Sequence, residues 1–159
     1  MRRQKPTSKK ESESNPIVYR GQLFRLAVLL IVAVVTGCTQ QKSISKDELR
    51  SQLKAIHSTA SETMLFLGQI RAHKVNSSFA AAHLHYLHET NEKILRDLTG
   101  SSASSGVEAL LADSHAWAEE LSKTLAELSG SIDNPLIIES GAKRIDEIGQ
   151  HAQHLEASF

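Results

Sequence analysis

From residue 45 onward, apolar residues recur three or four positions apart in four separate runs. That spacing places them on one face of an α-helix. The first run is Leu49, Leu53, Ile56, Ala60, Met64 and Leu67; the second is Ala80, Leu84, Leu87, Asn91, Ile94 and Leu98. The third is Val107, Leu110, Leu111, Ser114, Trp117, Leu121, Leu125 and Leu128; the fourth is Ile138, Ala142, Ile145, Ile148, Ala152 and Leu155. Almost nothing in this part of the chain alternates with the period of a strand.

The punctuation between the runs fits helix ends. Ser45 stands three residues before Glu48, a capping box in which each side chain satisfies the other residue's backbone donor. The first helix should then run to about residue 72, and "HKVNSS" (73–78) supplies a turn with Asn76 or Ser77 as the next cap. "TGSSASSG" (99–106) reads as a flexible loop of small residues, and Ser105 with Glu108 as a second capping box. Gly130 offers a stop. Asn134 followed by Pro135 restarts the chain, because proline's missing N–H costs nothing at the first helical position. Four amphipathic helices of similar length with short connections predict an all-α domain over 45–159, an antiparallel up-down-up-down four-helix bundle. Small residues on the stripes (Ala60, Ala80, Gly141, Ala152) allow close helix packing.

The front of the chain has a different character. Residues 1–37 hold seven Lys or Arg and two acids, a net of +5, whereas residues 38–159 hold eleven basic and sixteen acidic residues, a net of −5. The basic head precedes ten uncharged apolar residues, 26–35. Ten is short of the ~20 needed to span a bilayer and suits the apolar region of an export signal. The acidic remainder leaves no basic stripe for phosphates, so nucleic acid is not an expected partner.

The apolar run ends at Val35-Thr36-Gly37-Cys38, in the stretch "LLIVAVVTGCTQQ" (29–41), and Cys38 is the only cysteine of the 159 residues. This quartet resembles the lipobox of bacterial lipoprotein precursors: an aliphatic residue, a small residue, Gly or Ala, then Cys. Leucine is commoner where Val35 stands, and the basic head is longer than usual. The resemblance covers about the first 40 residues. It implies that Cys38 receives a diacylglyceryl group on its thiol, that Val35, Thr36 and Gly37 guide a signal peptidase to cut before Cys38, and that the new amino group can be acylated too, with palmitate or a similar chain. Two or more acyl chains give stable anchoring where one does not. It further implies a lipoprotein held to the membrane of the cell envelope. Thr39 stands where an aspartate retains many Gram-negative lipoproteins at the inner membrane, which favours the periplasmic face of the outer membrane if the cell has two membranes. The expected organisation is therefore a cleaved signal peptide over 1–37, a lipidated N-terminus and tether over 38–44, and the helical domain over 45–159.

With Cys38 acylated, no thiol remains for disulfides or thiolate metal sites. All eight histidines lie beyond it: His57, His73, His83, His85, His88, His115, His151 and His154. "HLHYLH" (83–88) is densest. At about 100° per residue, His83 and His88 flank the second stripe on opposite edges and His85 faces away, so the three do not converge. His85, His88, Glu89 and Glu92 form the candidate surface site for a divalent metal, against the plainer reading of a solvated polar face. For a buried metal or haem, His57, His83 and His151 at stripe edges and Met64 are the candidates. However, the chain lacks the Glu-x-x-His of di-metal bundles, and it has no Cys-x-x-Cys-His for covalent haem.

Catalytic chemistry finds little support. Ser114 and His115 are adjacent, and adjacent helical residues point about 100° apart, too far for a nucleophile and its base. No glycine-rich phosphate loop follows a strand. The expectation is a non-enzymatic binding or structural module with no cofactor beyond the lipid on Cys38 and with a protein partner in the envelope. The alternative is a periplasmic metal- or haem-binding bundle. Phe66, Phe79 and Tyr86 lie off the strongest stripes. They either form a partner surface or pack beneath the ends of neighbouring helices.

Overall fold

The computed structural model describes residues 42–159. Cys38 and the lipobox residues Val35, Thr36 and Gly37 lie outside the described residues. The element order is β1 (Lys42–Ile44), α1 (Lys46–Arg71), α2 (Ser77–Thr99), β2 (Ser101–Ala103), α3 (Glu108–Gly130) and α4 (Pro135–Ala157). The domain is all-α in class, with four helices where the four stripes lie, and it carries one two-stranded parallel sheet. Among the described residues, no helix is long and apolar enough to cross a membrane.

Three of the four helix starts follow from their caps. Ser45 Oγ accepts the Glu48 N–H at 3.2 Å while the Glu48 carboxylate accepts the Ser45 N–H at 3.0 Å, so the capping box closes. The Asn76 side chain accepts from the Phe79 N–H at 2.8 Å. Asn134 accepts from the Leu136 N–H at 3.1 Å, with Pro135 opening α4. The start of α3 differs from expectation. Val107 is its N-cap and makes no side-chain cap bond. Glu108 is in the first turn, and its carboxylate accepts the Gly106 N–H at 2.9 Å instead of closing a box with Ser105. Gly106, at φ +91°, is what allows that backward turn. Burying Val107 as the first residue of the stripe fixes where the helix begins.

Two segments expected to be loose are ordered. Lys42, Ser43 and Ile44 pair in parallel with Ser101, Ser102 and Ala103. Ile44 is buried and belongs to the hydrophobic core, so this part of the expected tether packs with the domain. The same pairing makes a strand out of the centre of "TGSSASSG". Small side chains there let the backbone of β1 approach.

The core gathers the predicted stripes. Leu49, Leu53, Ile56, Leu67, Leu84, Leu87, Leu98, Leu121, Leu125, Leu128, Ile145 and Ile148 are essentially inaccessible to solvent. Met64, Leu110, Leu111, Trp117 and Leu155 flank it half-buried, and Phe66 and Ala118 are buried in addition to the stripes. α1 packs extensively on α4 and α2 on α3; α3 also packs on α4, and α1 meets α2 less closely. Two of the buried hydroxyls are satisfied within their own helices, whereas Thr124 Oγ1 has no partner. Thr63 donates to the Thr59 carbonyl at 2.7 Å, and Ser114 to the Leu110 carbonyl at 2.6 Å.

Candidate functional site

Where α1 and α2 approach, four rings form a continuous cluster. On α2, Phe79, His83 and Tyr86 are four and three residues apart, so helical geometry stacks them on one face. Phe66 reaches them from α1. Its ring centroid is 4.3 Å from that of His83 and 5.9 Å from that of Phe79, the latter edge-on. Phe79 and His83 stack at 6.0 Å, and His83 and Tyr86 at 6.1 Å. His83 Nε2 lies 3.3 Å from the Glu62 carboxylate. Phe66 is buried, yet Phe79 is 54% and Tyr86 59% exposed. Of the three aromatics set apart by sequence, Phe66 therefore packs inward, and Phe79 and Tyr86 present apolar surface to solvent. Aromatic side chains, tyrosine and tryptophan above all, are enriched among the residues that carry binding energy at interfaces.

Near this cluster is an open cleft of about 500 Å³ formed by the α1–α2 and α3–α4 connections. Its apolar wall includes Ile70, Val75, Ala80, Ile132 and Ile138. The charges on its rim are already engaged. Arg71 pairs with Glu139 at 2.7 Å, and Ser77 Oγ donates to Asp133 at 2.7 Å. His73 also lines it at φ +52°, the left-handed position after α1 that glycine usually takes.

The candidate metal tetrad is divided. His85 and Glu89 are exposed and lie 3.5 Å apart. His88, whose ring centroid is 6.2 Å from that of His85, and Glu92 also reach α3, where His88 Nδ1 is 3.0 Å from Ser122 Oγ and the same hydroxyl donates to the Glu92 carboxylate. Among the described residues, no group of three or more His, Cys, Asp or Glu side chains is arranged to hold a metal ion. Nothing in the local sequence singles out Ser122; it lies 30 residues from Glu92, and only the packing of α2 on α3 brings them together.

The other histidines are spread over different surfaces. His57 and Met64 line a shallow groove between α1 and α4. His83 belongs to the aromatic cluster, and His151 stacks on Trp117 with centroids 4.2 Å apart. The three histidines offered for a buried haem or metal therefore lie in three different settings, and only His57 shares one with Met64. His115 Nε2 meets Thr99 Oγ1 at 2.9 Å, and Ser114 is bonded to its own helix. Ser122, with both His88 and Glu92 on its hydroxyl, is not a triad either: a nucleophile needs the histidine between the hydroxyl and the carboxylate.

At the opposite end of α1, Lys42 Nζ lies 2.7 Å from Glu48 Oε1. This hydrogen bond, with those from the Ser45 backbone and hydroxyl, holds the Glu48 carboxyl well below its ordinary value, at about 2; the same contact raises Lys42. The family models, the curated proteins and the solved structures compared with this chain give no match.

Proposed function

We propose that this protein is a lipid-anchored lipoprotein of the bacterial envelope whose helical domain is a non-catalytic binding module for a protein partner. The observation that carries the binding role is the exposed pair Phe79 and Tyr86, braced by Phe66 and His83. The anchoring half of the reading is supported by the lipobox ending at Cys38, and Thr39 favours the outer membrane in a cell with two.

In this reading the four helices are an antiparallel up-down-up-down bundle. Contacts at both ends of α1 support that arrangement: Arg50 lies 4.0 Å from Glu156, and Arg71 lies 2.7 Å from Glu139, so α4 runs against α1. Between α2 and α3, Thr99 meets His115 and His88 meets Ser122, the same reversal.

Two measurements test the proposal. Cys38→Ala should move the exported protein from the detergent phase to the aqueous phase; if it still partitions with detergent, the anchoring claim fails. A photo-crosslinking residue at position 79 should capture one discrete species in native membranes, and Tyr86→Ser should weaken that capture. Equal labelling from the exposed control position 123 would remove the binding face.

A further inference from the structure

We propose that β1 is a strap that fixes the distance between the domain and the bilayer and turns the β2 end of the domain toward the lipid head groups. This rests on the lipid-anchor reading of Cys38. Read from sequence, residues 38–44 are slack chain. In the structure, three independent sets of contacts hold the last part of that chain. Residues 42, 43 and 44 pair with 101, 102 and 103. Ile44 is 4% exposed and sits in the core. Lys42 is bonded to Glu48, whose second oxygen accepts from the Ser45 N–H and hydroxyl, so the strap is also tied to the first turn of α1.

Chain length then sets the reach. Four residue steps separate Cys38 from Lys42, and each spans at most ~3.6 Å, so the docked strap places Lys42 within about 14 Å of the lipidated residue. With the strap free, the seven steps to Ser45 allow about 25 Å. Docking therefore nearly halves the reach. It also makes the chain leave the domain beside β2. Charge at that end is mixed: residues 101–106 carry none, and Lys42 and Arg96 stand beside Glu48 and Asp97, so it is the path of the chain and not its charge that sets which end faces the lipid. α1 has 26 residues and rises about 39 Å. The cleft at its far end, and the Phe79 cluster beside it, then point away from the membrane, toward a partner in the aqueous space.

The test uses the full chain, exported, lipidated and reconstituted into phosphatidylethanolamine–phosphatidylglycerol vesicles with an acceptor dye on the head groups. A donor dye is placed on Ser102→Cys or, separately, on Leu136→Cys, since acylation leaves Cys38 unreactive. Energy transfer from position 102 should exceed that from 136 several-fold. A Gly-Ser insertion of about twelve residues between Gln41 and Lys42 adds a mean reach of about 20 Å and keeps every strap contact; it should bring the two positions close to equal. Releasing the strap with Lys42→Ser and Ile44→Ser should lower transfer from 102, with helical circular dichroism checking that the domain remains folded. Equal transfer from both positions in the unmodified chain overturns the inference. So does rapid amide exchange across 42–44 and 101–103 in the detergent-solubilised protein, which reads strap docking independently of the vesicles. A chain that fails to float with vesicles overturns the lipid-anchor reading and the standoff with it, whereas slow exchange in that same chain would show that the strap itself is real.

Discussion

Asn91, fully buried on α2, donates from Nδ2 to the backbone carbonyl of Ala118 on α3 at 2.7 Å, while its Oδ1 has no partner. The carbonyl it meets lies inside a helix and already has a backbone donor. The pair therefore gains one bond and leaves one buried acceptor unsatisfied, a combination worth little or nothing net. Asn91→Leu should leave stability within about 1 kcal/mol of the parent or raise it, because both the unsatisfied atom and its desolvation cost disappear. Asn91→Asp places a charge in the same space and should cost about 3 kcal/mol or more. Urea melts of the two variants check this. Equal losses in both would show that Asn91 is needed for its amide.

A second pair of substitutions separates packing from propensity. A Cβ at Gly141 would lie 2.6 Å from Leu128 Cδ2 and 2.9 Å from Leu128 Cγ, and Leu128 is fully buried. Gly141→Ala should destabilise by about 1–3 kcal/mol, since overpacking outweighs the gain in helix propensity. Gly68 has nothing within 4 Å of its would-be Cβ. Gly68→Ala should stabilise by about 1 kcal/mol. Thermal melts that shift in opposite directions support the α3–α4 packing; two upward shifts would show that Leu128 yields.

Leu121 belongs to the third stripe and is inaccessible to solvent. Leu121→Asp should unfold the domain, because an unpaired carboxylate enters the core. An unchanged helical circular dichroism spectrum and melting point would mean that this face of α3 is wrongly assigned.

The four helices were legible because burial enforces a period. Leu49, Leu53, Ile56 and Leu67, or Leu121, Leu125 and Leu128, can be apolar at that spacing only if one face is covered. The caps at Ser45, Asn76 and Asn134 were legible for a local reason too, since each side chain bonds within its own first turn. What escaped the sequence depends on distant partners. The pairing of Lys42–Ile44 with Ser101–Ala103 joins polar triplets almost sixty residues apart, too short to show a strand pattern. Phe66 and Phe79 were equally conspicuous as off-stripe aromatics; that one is buried and the other exposed is decided by how closely α1 meets α2. The surroundings of the candidate metal tetrad were hidden for the same reason. Sequence places His88 and Glu92 beside His85 and Glu89, and only the packing of α2 on α3 shows that two of the four bond to Ser122.

That division of the tetrad has a measurable consequence. A metal on the outer face of α2 would have to take His88 and Glu92 from Ser122, losing hydrogen bonds worth about 1 kcal/mol each. The untagged domain, titrated calorimetrically with nickel or zinc, should show no stoichiometric uptake. A saturable one-to-one isotherm that His85→Ala abolishes would show that this face rearranges around the ion.

The strap carries its own acid sensitivity. Glu48 sits at about 2 rather than its ordinary 4.5, chiefly because it accepts a hydrogen bond from Lys42 and then because it accepts from the Ser45 backbone. A carboxyl whose folded value is depressed contributes stability in full above its unfolded value and loses that contribution as pH falls toward the folded one. The contacts of β1 with the first turn of α1 should therefore be intact at pH 6 and weaken between about 4.5 and 2. Both partners are largely solvent-exposed, so the effect should also shrink in high salt. Amide exchange at residues 43–48, followed from pH 6 to pH 2 after correction for the intrinsic rate, reads this directly. Glu48→Gln should remove the acid-dependent step and leave exchange at the level the parent reaches at low pH. If the glutamine variant still loosens over the same interval, another carboxylate controls the strap.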